Sequence, residues 1–299
     1  MSITVPLSYL RYQGPNIYGM FSEGLRSALP RRGKQSVDTP TEPVQRQIPA
    51  VPERLVAAYA EWTGAPPERY ADVLPPHMFS YWGMAMIAGL TGQAPYNLLS
   101  VLNQGCRIQN RQPLPIGETI EALGHLASID NDGRRIRIAS HLHAHTLSAP
   151  LGQSMDIMTA VPLKNAAGKK PRKNPEDEPA FETIGTWSAS AQDGVNFALL
   201  TGDFNPIHVL GPVARRTRYK GCILHGFGFL SRTYETILNA GMSIRDFDIR
   251  YVKPLPLPTD EMQVQISREP VEGRTHALRL CSPDGTLHLV GHFSDRIST

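Results

Sequence analysis

Apolar and polar residues alternate along several segments in both halves of this 299-residue chain. Alternation over four to eight residues is typical of half-buried β-strands, and Asp-Gly or Glu-Gly pairs between such segments indicate hairpin turns. We therefore predict antiparallel strands at 118–128, 135–145 and 153–161 in the first half, and at 261–268, 275–281 and 287–293 in the second.

Two predominantly apolar runs of helical length precede these strands, at 78–90 and at 227–238. Each half thus contains a helix followed by antiparallel strands. This order predicts an α+β fold in which one helix packs on a curved sheet.

The two halves also share short motifs in the same order. Thr63-Gly64 and Thr201-Gly202 each precede the helical run, and Pro113-Leu114-Pro115 and Pro254-Leu255-Pro256 each follow it at nearly the same spacing. A register that holds over such a distance predicts a duplicated domain.

A segment at 164–180 separates the halves. Prolines aside, it has no apolar residue larger than alanine after position 164, and it contains clusters of lysines and acidic residues. Such a segment cannot bury an apolar face, so we interpret it as a linker. The predicted organisation is an irregular N-terminal extension at 1–47, a first repeat at 48–163, the linker at 164–180 and a second repeat at 181–299.

Charge and composition exclude several functional classes. A formal net charge of +3 leaves no large basic surplus for binding nucleic acid. No apolar run reaches the length of a membrane span and no secretory leader is evident, so we expect a cytoplasmic protein. Three widely spaced cysteines predict neither a disulfide framework nor a zinc knuckle.

Histidines alternate at His141, His143 and His145, so that they share one face of a predicted strand. Arg135 and Arg137 lie on the same face, and we expect no carboxylate to accompany the histidines. We interpret this face as solvated or as a subunit contact in a homodimer, and we predict no metal site.

The densest group of polar residues lies in the second repeat. Asp203 and His208 flank the turn signal Asn205-Pro206, which places a carboxylate and an imidazole five residues apart across a turn. Such a pair can act on one water molecule as general acid and base. The alternative is structural: Asp203 caps the turn and His208 packs against its neighbours.

Gly226 lies near the start of the second helical run. A glycine at a helix N-terminus exposes main-chain amides that stabilise a carbonyl oxygen gaining negative charge. The alternative is that the glycine only allows close packing of the helix.

The sequence "TGDFNPIH", followed by "LHGF", resembles the signature of the MaoC-like dehydratases, the (R)-specific enoyl-CoA hydratases. The resemblance covers 201–229, and the duplicated organisation resembles their double hot-dog subgroup, in which curved antiparallel sheets wrap central helices. It implies that Asp203 and His208 form the catalytic pair, that Asn205 orients the site and that the Gly226 amide binds a thioester carbonyl.

The reaction implied is a lyase reaction: reversible hydration of trans-2-enoyl thioesters, or dehydration of (3R)-hydroxyacyl thioesters. The substrate is an acyl-CoA or an acyl carrier protein, and coenzyme A or phosphopantetheine enters only as part of it. A hot-dog acyl thioesterase and a non-catalytic acyl-thioester-binding protein are the alternatives. Acyl chain length stays open.

The first repeat departs from the signature, because Ala65 takes the place of the aspartate and Tyr70 that of the histidine. We therefore predict that the N-terminal repeat is non-catalytic. Its apolar side chains between Met78 and Ile87 line an acyl pocket or form ordinary core.

Four cations lie between His208 and Gly226, namely Arg215, Arg216, Arg218 and Lys220. Phosphates of coenzyme A or an acidic carrier protein are attracted by such a cluster. A solvated loop is the alternative.

Overall fold

The computed structural model describes residues 3–19, 22, 43–94, 96, 101–163, 179–271 and 275–297. The predicted linker at 164–180 therefore lies almost wholly outside the described residues. Elements before it are β1 (Val44–Ile48), α1 (Glu53–Thr63), α2 (Phe79–Trp82), α3 (Met84–Gln93), β2 (Leu102–Asn110), β3 (Ile120–Asn131), β4 (Arg135–His145) and β5 (Gln153–Pro162), with 3-10 turns at Leu7–Tyr12, Pro67–Tyr70 and Pro76–Met78.

The elements after residue 178 follow the same plan, with additional short helices and strands around the candidate site. They are β6 (Phe181–Ala189), α4 (Asp193–Thr201), α5 (Pro206–Val209), α6 (Gly211–Arg215), β7 (Ile223–Leu224), α7 (Gly226–Asn239), β8 (Asp246–Tyr251), β9 (Leu255–Pro256), β10 (Thr259–Ser267), β11 (His276–Cys281) and β12 (Leu287–Ser294).

Ten strands form one antiparallel sheet in the order β1-β3-β4-β5-β2-β8-β12-β11-β10-β6. Read inward from either edge, the two halves of the sheet have the same order of equivalent strands. They meet where β2 pairs with β8, and there the guanidinium of Arg107 donates two hydrogen bonds to Asp246, at 2.8 and 2.5 Å. The fold is thus α+β, with two hot-dog repeats that share a continuous sheet.

The six predicted strands are confirmed, with ends that shift by up to three residues. In β4 the apolar side chains alternate with polar ones in the predicted way, and every second residue from Ile136 to Ala144 is buried. The predicted helix at 227–238 is also confirmed and extends over α7.

The predicted continuous helix at 78–90 is wrong, because Gly83 divides it into α2 and α3. The Gly83 amide still donates to the Phe79 carbonyl at 2.8 Å, but a Cβ at Gly83 would lie only 2.8 Å from that oxygen. The tight local geometry therefore needs glycine. Among the described helices, none is both long and apolar enough to cross a bilayer.

Two strands that the pattern did not predict close the edges of the sheet: β1 pairs with β3, and β6 pairs with β10. β1 lies across the predicted boundary at residue 47. Its sequence, Val-Gln-Arg-Gln-Ile, has three exposed residues in a row, so it carries no alternation that would mark a strand.

The N-terminal residues pack against the helix that leads into the candidate site. Gln13 is fully buried, and its side-chain amide donates to the Leu199 carbonyl at 2.7 Å. Asn16 likewise donates to the Thr201 carbonyl at 3.2 Å. These bonds satisfy carbonyls at the C-terminal end of α4, where a helix has no main-chain donors of its own.

Candidate active site

The turn that carries the predicted acid/base pair begins where α4 ends. Gly202 has φ +86°, a left-handed conformation that glycine adopts without strain, and it terminates the helix. Asp203 Oδ1 then accepts a hydrogen bond from the Asn205 amide at 3.2 Å. The carboxylate thus stabilises the turn, as the structural alternative predicts, and its second oxygen takes no part in that bond.

Asn205 is the N-cap of α5. Its side-chain oxygen accepts from the Ile207 amide at 3.3 Å, and Pro206 occupies the first helical position. Asn205 is exposed, so its contribution to the site is to start the short helix on which His208 lies.

The structure brings Asp203 and His208 together. A side-chain ligand atom of each, and one of His225, all lie within 4.8 Å of one another. His208 is buried, whereas the Asp203 side chain is 17% exposed. This separation fits a single water molecule bridging the carboxylate and the imidazole.

His208 is held in one tautomer. Its Nδ1 lies 2.8 Å from the Ile223 carbonyl, which can only accept, so Nδ1 carries the proton and Nε2 has a free lone pair. Burial lowers the pKa of His208, and this effect outweighs the opposite effects of the Asp203 charge and the Ile223 carbonyl. Near neutral pH, His208 is therefore an uncharged base.

His225 is a site residue that the sequence analysis missed. Its ring stacks on that of His208, with centroids 3.8 Å apart and planes inclined by 27°. Its Nε2 donates to the Asp203 carbonyl at 2.8 Å and lies 4.0 Å from Asp203 Oδ2. The sequence signals this role only through the His225-Gly226 pair at the start of a predicted helix, and that pair by itself points to the glycine.

Burial lowers the pKa of His225 well below its usual value, and the neighbouring His208 lowers it further. With its proton on Nε2, the ring has an unprotonated Nδ1, which is buried and has no hydrogen-bond partner among the described residues. Phe197 packs on the ring at 4.8 Å between centroids and helps to fix its position.

Gly194, in the first turn of α4, allows the close approach of α5. A Cβ at this position would lie 2.1 Å from the His208 carbonyl oxygen, well inside van der Waals contact. The position of His208 thus depends on a glycine eleven positions before the Asn205-Pro206 turn.

Gly226 is the first residue of α7 and directly follows His225. The His225 carbonyl accepts from the amides of Gly228 and Phe229, at 2.9 and 3.2 Å, whereas no such bond from the Gly226 amide is found in the described part of the chain. The positive end of the helix dipole therefore lies beside the two histidines.

Asp203, His208 and His225 are also a donor set that divalent metals accept. His225 Nε2 lies 4.0 Å from Asp203 Oδ2, but it already donates to the Asp203 carbonyl. Each ring also has one nitrogen bonded to a main-chain carbonyl, which leaves only His208 Nε2 and His225 Nδ1 for coordination. The geometry favours a bridging water over a metal ion.

The histidine face of β4 requires one correction. Asp156, on β5, accepts a hydrogen bond from His141 Nδ1 at 2.6 Å, so a carboxylate does accompany these histidines. The sequence pattern could not show this, because the contact joins neighbouring strands.

The four cations of the predicted phosphate-binding cluster, Arg215, Arg216, Arg218 and Lys220, are all exposed. The Arg218 guanidinium lies over the Tyr219 ring at 4.9 Å. None of the four forms an ion pair with a residue that the structure describes. Their charges are therefore available to an anionic ligand.

The equivalent position in the first repeat is closed. Tyr70, which replaces the histidine, donates to Glu235 Oε1 at 2.5 Å, and His77 Nε2 donates to the same oxygen at 2.8 Å. Arg69 donates to the other oxygen at 2.5 Å. Glu235 belongs to α7 of the second repeat, so this buried network joins the two repeats. It occupies the position in the first repeat that is equivalent to the Asp203–His208 pair in the second.

The apolar residues considered for an acyl pocket belong to the core or pack against it. Met78, Phe79, Trp82, Met86 and Ile87 are buried, and Tyr81 and Met84 are partly buried. Phe79 contacts Phe227 of α7 edge to face, with centroids 5.0 Å apart. A role in binding an acyl chain stays a prediction.

Comparison with solved structures finds the same fold in HtdX from Mycobacterium tuberculosis, with a TM-score of 0.67 and 17% identity over 84% of this chain and 99% of that one. The peroxisomal multifunctional enzyme type 2 from Drosophila melanogaster gives 0.63 and 16% identity, over 84% of this chain and 48% of that one. An acyl-ACP thioesterase from Bacteroides thetaiotaomicron gives 0.51 and 10% identity, over 84% and 97%. At these identities the likeness shows the fold alone.

No curated protein matches the chain in sequence. Residues 164–277, however, match the family described as MaoC like domain, and this range contains the Asp203–His208 turn, His225 and Gly226. This part of the chain is therefore similar in sequence to a MaoC like domain.

Proposed function

We propose that the protein catalyses reversible hydration of trans-2-enoyl thioesters to (3R)-hydroxyacyl thioesters. The observation that carries the proposal is the convergence of Asp203, His208 and His225 within 4.8 Å, directly before the N-terminus of α7. The similarity of residues 164–277 to a MaoC like domain and the structural likeness to a MaoC-like dehydratase from Phytophthora capsici support it.

In the hydration direction, water binds between the Asp203 carboxylate and His208 Nε2. The free lone pair of Nε2 accepts a proton as the water oxygen forms a bond to C3. The resulting imidazolium, which faces the Asp203 carboxylate, returns a proton to C2. One water is added across the double bond, and both side chains end in their original state.

Addition of oxygen to C3 moves electrons from the double bond towards the thioester carbonyl. The enolate-like oxygen needs a hydrogen-bond donor placed before the reaction begins. The Gly226 amide, at the positive end of α7, is the donor that we assign to it. Syn addition follows if one imidazole handles both protons from one face of the substrate.

One active site per chain is expected, because the first repeat offers Ala65 and a closed Tyr70–Glu235 network where the second has its acid/base pair. In this proposal the first repeat completes the sheet and packs against α7. No cofactor beyond the coenzyme A or phosphopantetheine of the substrate takes part.

The cations Arg215, Arg216, Arg218 and Lys220 attract the phosphates of an acyl-CoA or the acidic surface of an acyl carrier protein. Reversing the charge of Arg215 and Arg216 with glutamate should raise KM for an acyl-CoA and reduce its dependence on salt, because exposed charges act through a screened field. Reversing Arg296, which is exposed and distant in sequence, is the matched control. An unchanged KM in the Arg215/Arg216 variant would contradict this role.

The reaction class is tested by following crotonyl-CoA in two assays on the same sample. Loss of enoyl absorbance without release of free thiol is the expected result. Thiol release as the main reaction identifies an acyl thioesterase instead. Binding without either reaction identifies a non-catalytic acyl-thioester-binding protein.

A further inference from the structure

The hydroxyl of Tyr251, at the end of β8, is buried and has no hydrogen-bond partner among the described residues. The ring packs edge to face on Phe229, with centroids 5.1 Å apart. Buried hydroxyls in native proteins nearly always have a partner, because desolvation without a hydrogen bond costs free energy. An orphaned hydroxyl at this place therefore indicates a partner that the chain itself does not supply.

The hydroxyl lies beside the start of α7. A Cβ placed on Gly226 would be 3.0 Å from Tyr251 Cζ and 3.3 Å from Oη. A Cβ position is about 2.5 Å from the amide nitrogen of its own residue, so Oη lies within about 6 Å of the Gly226 nitrogen. An oxygen atom at about 3 Å from each can accept a hydrogen bond from both.

The Gly226 amide is the second hydrogen-bond donor near this position. It opens a helix of 14 residues, and the described part of the chain offers it no acceptor. A side-chain hydroxyl and a main-chain amide, both without a partner among the described residues, thus lie close together at the helix tip, next to His225.

We propose that the Tyr251 hydroxyl is a second donor to the thioester carbonyl oxygen, alongside the Gly226 amide, and thus a further catalytic residue. The assignment rests on the hydration reaction proposed above. Negative charge grows on that oxygen as the enolate forms, so both hydrogen bonds strengthen in the transition state. Burial raises the pKa of Tyr251 well above its usual value, so the hydroxyl remains a donor throughout the working pH range.

Tyr251→Phe separates hydrogen bonding by the hydroxyl from packing by the ring, since it keeps the ring and removes the hydroxyl. We expect kcat to fall by about 10²-fold. The unfolding temperature should stay the same or rise, because the variant removes an unsatisfied buried polar group. A kcat within twofold of the parent value would overturn the proposal.

Tyr234→Phe is the matched control. Tyr234 is also a tyrosine whose hydroxyl lies in the interior, but this hydroxyl donates to the Ile244 carbonyl at 3.4 Å, away from the helix tip. This variant should keep kcat within twofold and should not gain stability. The two phenylalanine variants are thus expected to differ in kcat, since only Tyr251→Phe removes a donor to the substrate.

An infrared measurement tests the contact without turnover. An enoyl-CoA labelled with ¹³C at the thioester carbonyl is bound to Asp203→Asn and to the double variant Asp203→Asn/Tyr251→Phe. The carbonyl band should shift to lower frequency in the first and move back towards the free value in the second. Identical carbonyl bands in the two variants would overturn the Tyr251 assignment, whatever their kinetics. Normal hydration by Asp203→Asn would instead refute the acid/base pair. In that case the infrared result alone would decide on Tyr251.

Discussion

The imidazole rings of His208 and His225 stack with centroids 3.8 Å apart, and the second ring also donates a hydrogen bond to the main-chain carbonyl of Asp203. His225 therefore contacts both members of the acid/base pair. His225 is followed directly by Gly226, so the residue that contacts Asp203 and His208 is adjacent to the N-terminus of α7. This makes His225 a positioning residue for the reaction.

One substitution separates the ring stack of His225 from its hydrogen bond. His225→Phe keeps a stacked ring and loses the hydrogen bond to Asp203, and we expect kcat to fall about tenfold, since one buried hydrogen bond contributes about 1.5 kcal/mol. KM should change less than kcat. Steady-state kinetics measures both, with the exposed His292→Gln as control. Equal kcat in His225→Phe and the parent would contradict a positioning role.

Gly194→Ala tests whether the place of His208 depends on close helix approach. The new Cβ would lie 2.1 Å from the His208 carbonyl oxygen, so α5 must shift. We expect kcat to fall at least tenfold and stability to fall by about 1–3 kcal/mol. Gly221→Ala is the control, because a Cβ there meets no atom within 4 Å. Parent-like kinetics in Gly194→Ala would show that the turn tolerates displacement.

The pH dependence of kcat/KM should report the neutral form of His208. Burial lowers the pKa of this residue, so activity should persist below pH 6.5, the usual midpoint for histidine, and fall only at lower pH. The Asp203 charge opposes the shift, so Asp203→Asn should move the His208 midpoint further down. NMR titration of His208, assigned by comparison with His208→Gln, measures both midpoints. A midpoint at or above 6.5 would contradict the buried neutral base.

Glu235 should contribute to stability in a pH-dependent way. Burial raises the pKa of its carboxyl, but hydrogen bonds and charge from His77, Tyr70 and Arg69 outweigh burial and leave the pKa lowered. A lowered folded-state pKa stabilises the fold above the unfolded value of about 4.3, and this contribution is lost as the pH falls through the folded-state pKa.

Glu235→Gln should therefore lower the free energy of unfolding by about 3 kcal/mol at pH 7, and the difference from the parent should shrink in acid. Denaturant titration at several pH values measures it, with the exposed Glu182→Gln as control. We expect kcat of the folded variant to stay within about threefold. A constant difference across pH would show that the carboxylate charge is not what stabilises the network.

Much of the fold was predictable because its signals are local. The alternation in β4, the hairpin turns and the apolar run of α7 each lie within one segment. β1 was not predictable, because its residues are mostly exposed and its pairing with β3 joins residues about 75 positions apart. Gly83 could not be recognised as a break, since a glycine inside an apolar run gives no sign of the close carbonyl contact that requires it.

The residues of the candidate site likewise fall into those that local sequence signals predict and those that depend on tertiary packing. Asp203 and His208 could be singled out because the Asn205-Pro206 turn places them together locally. His225 and Tyr251 could not, because their roles arise from a ring stack and from an orphaned hydroxyl that exist only after α7 and β8 have packed. Glu235 was missed for the same reason, since its partners lie in the other repeat.

The central claim is that Asp203 and His208 bind one water between them, that His208 takes a proton from this water and returns a proton to C2, and that the Asp203 carboxylate stabilises the charged imidazole. The most direct test is the rate of crotonyl-CoA hydration by Asp203→Asn and by His208→Gln, with the exposed Asp260→Asn and His292→Gln as controls. Each site variant should lose about 10²–10⁴-fold in kcat while the controls stay within twofold. Undiminished turnover in either site variant, with the fold intact by circular dichroism, would contradict the account.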